Sequence, residues 1–377
     1  MTRPKIAIIL RTNGLEYDDR VRKECISLSK VADLTLFVSF ESNKEEEGIT
    51  AYGVPYKSFP IKLRDILPAG KLLLLKAFEF YWRVRKHLKG YDLIWAHEEY
   101  TFMFPLFAPK SRFIWDLHEI PTLFDRPILR QLFRLIESRS KRMIHGNQFR
   151  INHMIKMGLI RKPEKHVFIR NLPDGTFQNS TLEPENYELF KQLLNNEPYV
   201  YLQGISAPDR HPYNTIASVL KKTTFKIVIV GRFQDADLIK RLHNEFGTSI
   251  DKRLIITGMV NQLSTPFYLR EATFSMVFYQ TTTPNERYCE ANRFYQSLIF
   301  GVPIITGSNE PMSEIINVYK CGIALESDGS NRDHVESAIE KLLDNYNEFK
   351  QNTVSASSNF VWKDEVIDSQ WINVGFN

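Results

Sequence analysis

Residues 5–30 read KIAIILRTNGLEYDDRVRKECISLSK. After Lys5 come five apolar residues, three of them Ile, the pattern of a buried strand. RTNGLEY then supplies a polar turn. Asp18 stands where a helix N-cap belongs, and Val21, Cys25 and Leu28 recur at helical spacing behind it. A buried strand, a short turn and an amphipathic helix make the opening unit of a parallel sheet, because parallel neighbours need a crossover.

The same rhythm continues outward. DLTLFVSF (33–40) is a second strand and VPYKSFP (54–60) a short third. A helix from about 70 to 89 leads to YDLIWAH (91–97) and RFIWDLHE (112–119). A basic helix near 127–142 precedes RMIHG (142–146). Alternating strands and helices predict right-handed crossovers and a doubly wound sheet. From 171 the composition shifts: NLPDGTFQNSTLEPEN (171–186) has the Pro, Asn, Gly and Thr content of a linker. Strands then restart at YVYLQGI (199–205), FKIVIVGR (225–232), RLIITGMV (253–260), FSMVFYQ (274–280) and VPIITG (302–307). A long helix near 333–351 follows, and Val361, Val366 and Trp371 are spaced to pack as a last helix. The expected architecture is α/β, with two Rossmann-like domains facing across a cleft. One comprises 1–175 with a returning helix at 358–377, the other 176–357. Ligands in such sheets sit beyond the carboxyl ends of the strands.

Composition narrows the function. At 377 residues the chain exceeds one hydrophobic core. With 43% hydrophobic and 25% charged residues it is not a disordered chain. A net charge of +5 suits phosphate ligands or an anionic membrane surface, and no nucleic-acid partner is expected. Cys25, Cys289 and Cys321 are scattered without CxxC spacing, which argues against a disulfide framework or zinc site and for a reducing cytoplasm. The apolar run before Arg11 is too short for a signal peptide, and no run reaches the roughly 18 residues of a membrane span.

Three clusters carry chemistry. His118 and Glu119 end a strand, where side chains alternate in direction, so one of the two aims into a cleft. A histidine there can hydrogen-bond a sugar hydroxyl or stabilise a cationic transition state, and a carboxylate can take a proton. The plainer reading is a loop-capping His118 and a solvated Glu119. Arg210 and Arg232 each follow a strand of the second half, on one rim, as a diphosphate requires. Against this stands the reading of two surface arginines. Finally, YCEANRFYQSLIFGVPIITG (288–307) places a helix start at Glu290 or Asn292 and an end at Gly301. Its N-terminus favours an anion, Arg293 adds charge, and Gln296 is placed for a ribose hydroxyl. Phe294 and Leu298 would face the core.

Together these stretches resemble family 4 glycosyltransferases of the GT-B fold, over nearly the whole chain. YDDRVRKECISLSK resembles the family's D-x-R-V-x-x-E-x-x-x-L opening through Asp18, Arg20, Val21, Glu24 and Leu28. YDLIWAHEE resembles its D-x-I-x-A-H strand, and WDLHEIP its Y-D-x-H-E strand. VFIRNLPD resembles the N-x-P turn before the second domain. YCEANRFYQSLIFGVPII resembles Y-S-x-P-N-K-x-x-E-Y-M-A-x-G-x-P-V-I. The resemblance implies a retaining, hexosyl-type transfer from a nucleotide diphosphate sugar, of UDP or GDP type, to a glycan or lipid-linked acceptor, with no metal and no further cofactor. It implies donor diphosphate contacts at Gly14, Arg210, Asn292 and Arg293, to which the strand-end position adds Arg232, and base contacts at Met259 and Val260. Ribose and sugar contacts fall to Gln296, Glu290 and Tyr288, and His118 and Glu119 are the catalytic candidates. Gln296 stands where the family has glutamate, and Tyr288 where the first glutamate of E-x7-E falls. Gln296 and the altered loop SAPDRH (206–211) motivate an alternative, an inactive nucleotide-sugar-binding partner protein. A nucleotide-sugar epimerase is a third reading. The missing G-x-G-x-x-G after the first strand, in RTNGLEY, argues against a dinucleotide dehydrogenase.

Residues 61–90 carry Lys62, Arg64, Lys71, Lys76, Arg83, Arg85, Lys86 and Lys89 against Asp65 and Glu79. Leu74, Phe78 and Trp82 share a helical face. Either that face packs Leu74 and Phe78 on the protein's own sheet, or it meets anionic lipid as a peripheral contact.

Overall fold

The computed structural model describes residues 3–16, 18–66, 72–107 and 112–367. The chain divides into two compact units, Met1–Asn171 with Asp364–Asn377, and Leu172–Lys363.

The first unit is built on an eight-stranded sheet. Its strands are β1 (Lys5–Thr12), β2 (Asp33–Phe40), β3 (Glu47–Ile49), β4 (Pro55–Ser58), β5 (Leu93–His97), β6 (Phe113–Leu117), β7 (Arg142–His145) and β8 (His166–Phe168). They lie in the order β3-β4-β2-β1-β5-β6-β7-β8. All pairs are parallel except β3 with β4. The short edge strand β3 lies in a run of glutamates, where sequence gives no strand signal and charge protects an open edge. The opening stretch behaves as its pattern predicts. Asp18 caps the helix Asp19–Leu28 by accepting from the Val21 N–H at 3.2 Å. Val21, Cys25 and Leu28 are fully buried.

The second unit has six parallel strands: β9 (Tyr199–Gln203), β10 (Lys226–Val230), β11 (Leu254–Gly258), β12 (Phe274–Val277), β13 (Ile304–Thr306) and β14 (Gly322–Ala324). Their order is β11-β10-β9-β12-β13-β14, so chain direction across the sheet reverses between β9 and β12. Apolar residues of β9, β10 and β12 pack on one face against Ile216, Val219, Val335 and Ile339.

Four expectations are corrected. The linker read at 171–186 contains the helix Gly175–Gln178 and is followed at once by the helix Tyr187–Leu194. Asp174 caps the first, accepting from the Phe177 N–H at 3.1 Å, and Phe190 and Leu194 of the second pack with Tyr199 and Tyr268. The long helix near 333–351 is two helices, Arg332–Asp344 and Tyr346–Ala356, divided at Asn345. Helical geometry ends at Phe360, and 361–367 contain no helix. The chain does return to the first unit, where the Asp364 carboxylate accepts from Ser27 and Lys30 at 2.6 Å. Residues 368–377, including Trp371, lie outside the described residues, as does Lys71.

The fourth correction concerns helix Leu73–Val84. It packs inward through Ala77, Phe80 and Val84, while Leu74, Phe78 and Trp82 are exposed. Lys76 is buried and does not belong to the charged face.

Candidate functional site

In the first unit, β5 and β6 pair with His97 opposite Asp116. Both strands therefore deliver ionisable side chains to one sheet end. Arg20 and Glu24, one turn apart on the helix Asp19–Leu28, bring two more. The Arg20 guanidinium grips Asp116 with two nitrogens, at 2.9 and 3.0 Å, and donates a further bond to the Ile169 carbonyl at 3.0 Å. Glu24 lies 3.0 Å from the Arg20 Nε. Burial works against the Asp116 charge, but Arg20, His118 and His97 outweigh it and hold the carboxyl below its usual range. Glu24 is pushed well up, by burial and then by Asp116.

His118 follows β6 and is partly exposed. Its Nδ1 lies 2.6 Å from the Glu98 carboxylate, and its Nε2 lies 3.1 Å from the His97 Nδ1. Its backbone carbonyl accepts from Arg150. Burial lowers its basicity, but the charge and hydrogen bond of Glu98 prevail and raise its pKa. His97, wholly buried, is driven down to about 3 by desolvation and stays neutral. Glu98 is not a residue the sequence reading singles out. It adopts φ 68°, ψ 161°, a conformation that costs a non-glycine residue roughly 1–3 kcal/mol. Its N–H donates to the Asp116 carbonyl at 2.8 Å, and its carbonyl accepts from Trp115 Nε1 at 3.0 Å and Thr101 at 2.9 Å. The backbone is pinned so that the carboxylate meets His118. Glu119 is exposed. His97, Asp116 and His118 present nitrogen and oxygen atoms within 4.8 Å of one another. Asp116 is already committed to Arg20, so this donor set suits a charge network better than a cation. Gly14 follows β1, beside a cavity of about 450 Å³ lined in part by Arg11, Asn13, Glu98 and Glu99.

In the second unit, helix Asn292–Ile299 begins after Ala291, with no side chain capping its N-terminus. Phe294 and Leu298 are fully buried, as their spacing predicts. Gly301 follows at φ +65°, where a Cβ would meet a methyl group of Val354 at 2.6 Å. Arg293 is only 7% exposed. Its Nη2 donates to the Phe278 carbonyl at 3.3 Å, and its Nε has no partner. Its guanidinium lies 4.7 Å from the Tyr279 ring centre, and that of Arg210 lies 5.1 Å from the same ring. Both flank Gly204, whose φ is +57° and whose carbonyl accepts from Arg210. A Cβ at Gly204 would stand 3.1 Å from Arg210 and 3.7 Å from Arg293. Among the described residues no carboxylate comes within 4 Å of either guanidinium. Two cations thus converge, one of them buried, at the carboxyl ends of β9 and β12, where the strand order reverses. Burial, and then Arg210, lower the Arg293 pKa. An unneutralised buried cation is unfavourable, and an anion relieves it.

The remaining sequence-selected residues of this unit differ in exposure. Asn292 is exposed at the helix start, and Tyr288 and Glu290 are half-buried before it. Gln296 is buried, and its Oε1 has no partner. Met259 is exposed beyond β11, while Val260 packs against the Phe190 cluster. Arg232 follows β10 with an exposed side chain and joins neither guanidinium. Tyr279 and Gly204, which organise the arginine pair, were missed; both sit in the strand-end stretches already recognised as ligand-facing.

Two parallel-sheet α/β domains of this kind are the GT-B glycosyltransferase fold, and solved structures of that class match the chain over its length. Sucrose-phosphate synthase from Thermosynechococcus elongatus matches with a TM-score of 0.73 at 12% identity, covering 99% of this chain and 98% of that one. Anabaena HepE in complex with UDP-glucose matches with a TM-score of 0.69 at 15% identity, covering 98% of each. WaaG, a glycosyltransferase involved in lipopolysaccharide biosynthesis, matches with a TM-score of 0.66 at 10% identity, covering 99% of this chain and 100% of that one. No protein-family model matches the sequence, and no curated protein does.

Proposed function

We propose that the protein is a nucleotide-sugar-dependent glycosyltransferase. It would move a hexose from a nucleotide diphosphate donor to an acceptor hydroxyl, with retention, in surface polysaccharide or glycolipid synthesis. The observation that carries this reading is the buried, unneutralised Arg293 converging with Arg210 beside an uncapped helix N-terminus. The donor diphosphate is the anion assigned there, and UDP is the first candidate because the similar HepE structures hold UDP and UDP-glucose. With two guanidinia and a helix terminus supplying positive charge, no metal is assigned a role. Activity should persist in EDTA.

Retention rests on the likeness of WDLHEIP and YCEANRFYQSLIFGVPII to the family 4 pattern. In this scheme the donor phosphate helps deprotonate the incoming hydroxyl. His118, whose ring nitrogens meet Glu98 and His97, is given a positioning and electrostatic role and not a proton transfer. A protonated imidazole would repel positive charge growing at the anomeric carbon, which disfavours a role in stabilising it. The exposed Leu74, Phe78 and Trp82 support the assignment of 61–90 to a peripheral contact with anionic membrane. Among the described residues no helix is long and apolar enough to cross one.

The test is a panel of nucleotide diphosphate sugars scored for transfer and for slow donor hydrolysis. Turnover that is lost in Arg293→Ala supports the assignment. Binding without turnover across donors and acceptors would move the reading to a nucleotide-sugar-binding partner protein, to which Gln296 in place of glutamate lends weight. Conversion of a donor with no acceptor present would favour the epimerase.

A further inference from the structure

The cavity of about 450 Å³ lies wholly within the first unit, at the carboxyl ends of β1, β2 and β5. Arg11, Glu41, Leu73, Glu98, Glu99 and Tyr100 are among its walls. Its size is that of a small-molecule site. We infer that it takes a sugar bearing a free primary ammonium group, and that Glu99 binds the ammonium. Taking that sugar as the acceptor rests on the transferase reading above.

The wall charges single out Glu99. Glu41 is neutralised by the Arg11 guanidinium at 3.1 Å, and Glu98 by His118 Nδ1 at 2.6 Å. Glu99 is half-buried, and its carboxylate accepts from the Leu123 N–H at 2.7 Å. Among the described residues no cation lies within 4 Å of it. Burial, and the charges of Glu98, Asp125 and Glu119, push its pKa up to about 6 against that hydrogen bond. A carboxylate so placed is unfavourable without a counter-charge, and an ammonium supplies one.

An independent observation points to a ligand in the same cavity. Tyr100 is a wall residue only 5% exposed, and its hydroxyl has no partner. Its ring is held by the Arg11 guanidinium, 5.4 Å from the ring centre, and by Phe80 at 5.9 Å. A buried hydroxyl left unpaired is unfavourable, and it can both donate to and accept from a polar ligand. Leu73 offers an apolar surface to the C–H face of a sugar ring.

Other ligands fit these walls less well. A metal ion needs several oxygen ligands, whereas Glu41 and Glu98 are already committed. An anionic sugar would meet the Glu99 charge, while Arg11 is already paired. A neutral sugar leaves Glu99 uncompensated. An ammonium on a hydroxylated ring satisfies both Glu99 and Tyr100.

Ligand-observed NMR titrations of the full chain, with no donor present, test the site. The probes are methyl glucosaminide, methyl N-acetylglucosaminide, methyl glucoside, methyl glucuronide and ethanolamine. The glucosaminide should bind at least about tenfold more tightly than the glucoside or the N-acetyl derivative, the margin of one charge-assisted contact. The glucuronide should bind most weakly. Glu99→Gln should bring glucosaminide and glucoside to equal affinity, and Tyr100→Phe should weaken both, with thermal transitions confirming that each variant folds. Equal affinity for the two sugars in the wild type, a preference kept by Glu99→Gln, or binding of none of the probes would overturn the proposal. Ethanolamine bound as tightly as the glucosaminide would overturn the assignment of a sugar. Donor binding and turnover are read separately, so failure here leaves the Arg293 site standing, and failure there leaves the ammonium preference standing.

Discussion

Glu98 sets the charge of His118. With a hydrogen bond of 2.6 Å and a raised imidazole pKa, the histidine keeps its proton to higher pH than a free side chain would. Glu98→Gln keeps the shape and removes the charge, so the His118 pKa should fall. Histidine resonances followed by NMR across pH will show it, and the alkaline limb of the activity profile should move to lower pH with it. An unmoved pKa would mean that Glu98 is a passive loop residue. Histidine and glutamate at strand ends were visible in DLHE and AHEE. Their meeting was not, because the β5–β6 register sets His97 opposite Asp116 and Arg20 reaches Asp116 from the helix Asp19–Leu28, contacts between stretches far apart in sequence. Arg210→Ala should weaken nucleotide diphosphate binding by about tenfold, the loss of one charge-assisted contact, as measured by calorimetry.

At the scale of the element, helix Leu73–Val84 is the instructive case. It carries two apolar stripes, Ala77–Phe80–Val84 and Leu74–Phe78–Trp82. Periodicity identifies a helix and its faces, but not which face meets the sheet when both are apolar. The structure buries the first. Phe80→Ala should therefore cost about 3–5 kcal/mol in urea unfolding, and Phe78→Ala less than about 0.5 kcal/mol. The reverse order would invert the helix. By contrast, Asn292–Ile299 was legible almost to the residue. Its buried stripe, its uncapped start and Gly301 are all local signals. The break at Asn345 was not, since residues on both sides of it favour helix.

For the molecule as a whole, stability should depend on pH through two buried neutral histidines. Desolvation holds His97 down to about 3, and burial with the neighbouring His166 holds His145 well below its ordinary value. Lowering the pH below the ordinary histidine value near 6.5 protonates the unfolded chain and not these folded sites. Each then removes stability at about 1.4 kcal/mol per pH unit. Urea midpoints between pH 7 and pH 5 should fall, and His97→Asn should flatten the slope. The alternation of strand and helix across both units was readable because each parallel strand is locally apolar and each crossover locally amphipathic. The small β3 and β14 were not, since Glu47–Ile49 lies in a run of glutamates and Gly322–Ala324 holds a single large apolar residue.

The central claim is that a pyrophosphate is held where the helix Asn292–Ile299 begins. Calorimetric titration of UDP and GDP into the wild-type protein, Arg293→Ala and Arg293→Lys tests it most directly. The account predicts binding by the wild type, a loss of about 10- to 100-fold in Arg293→Ala, and partial recovery in Arg293→Lys. Equal affinity in a folded Arg293→Ala variant, or no binding of either nucleotide to the wild type, would contradict it.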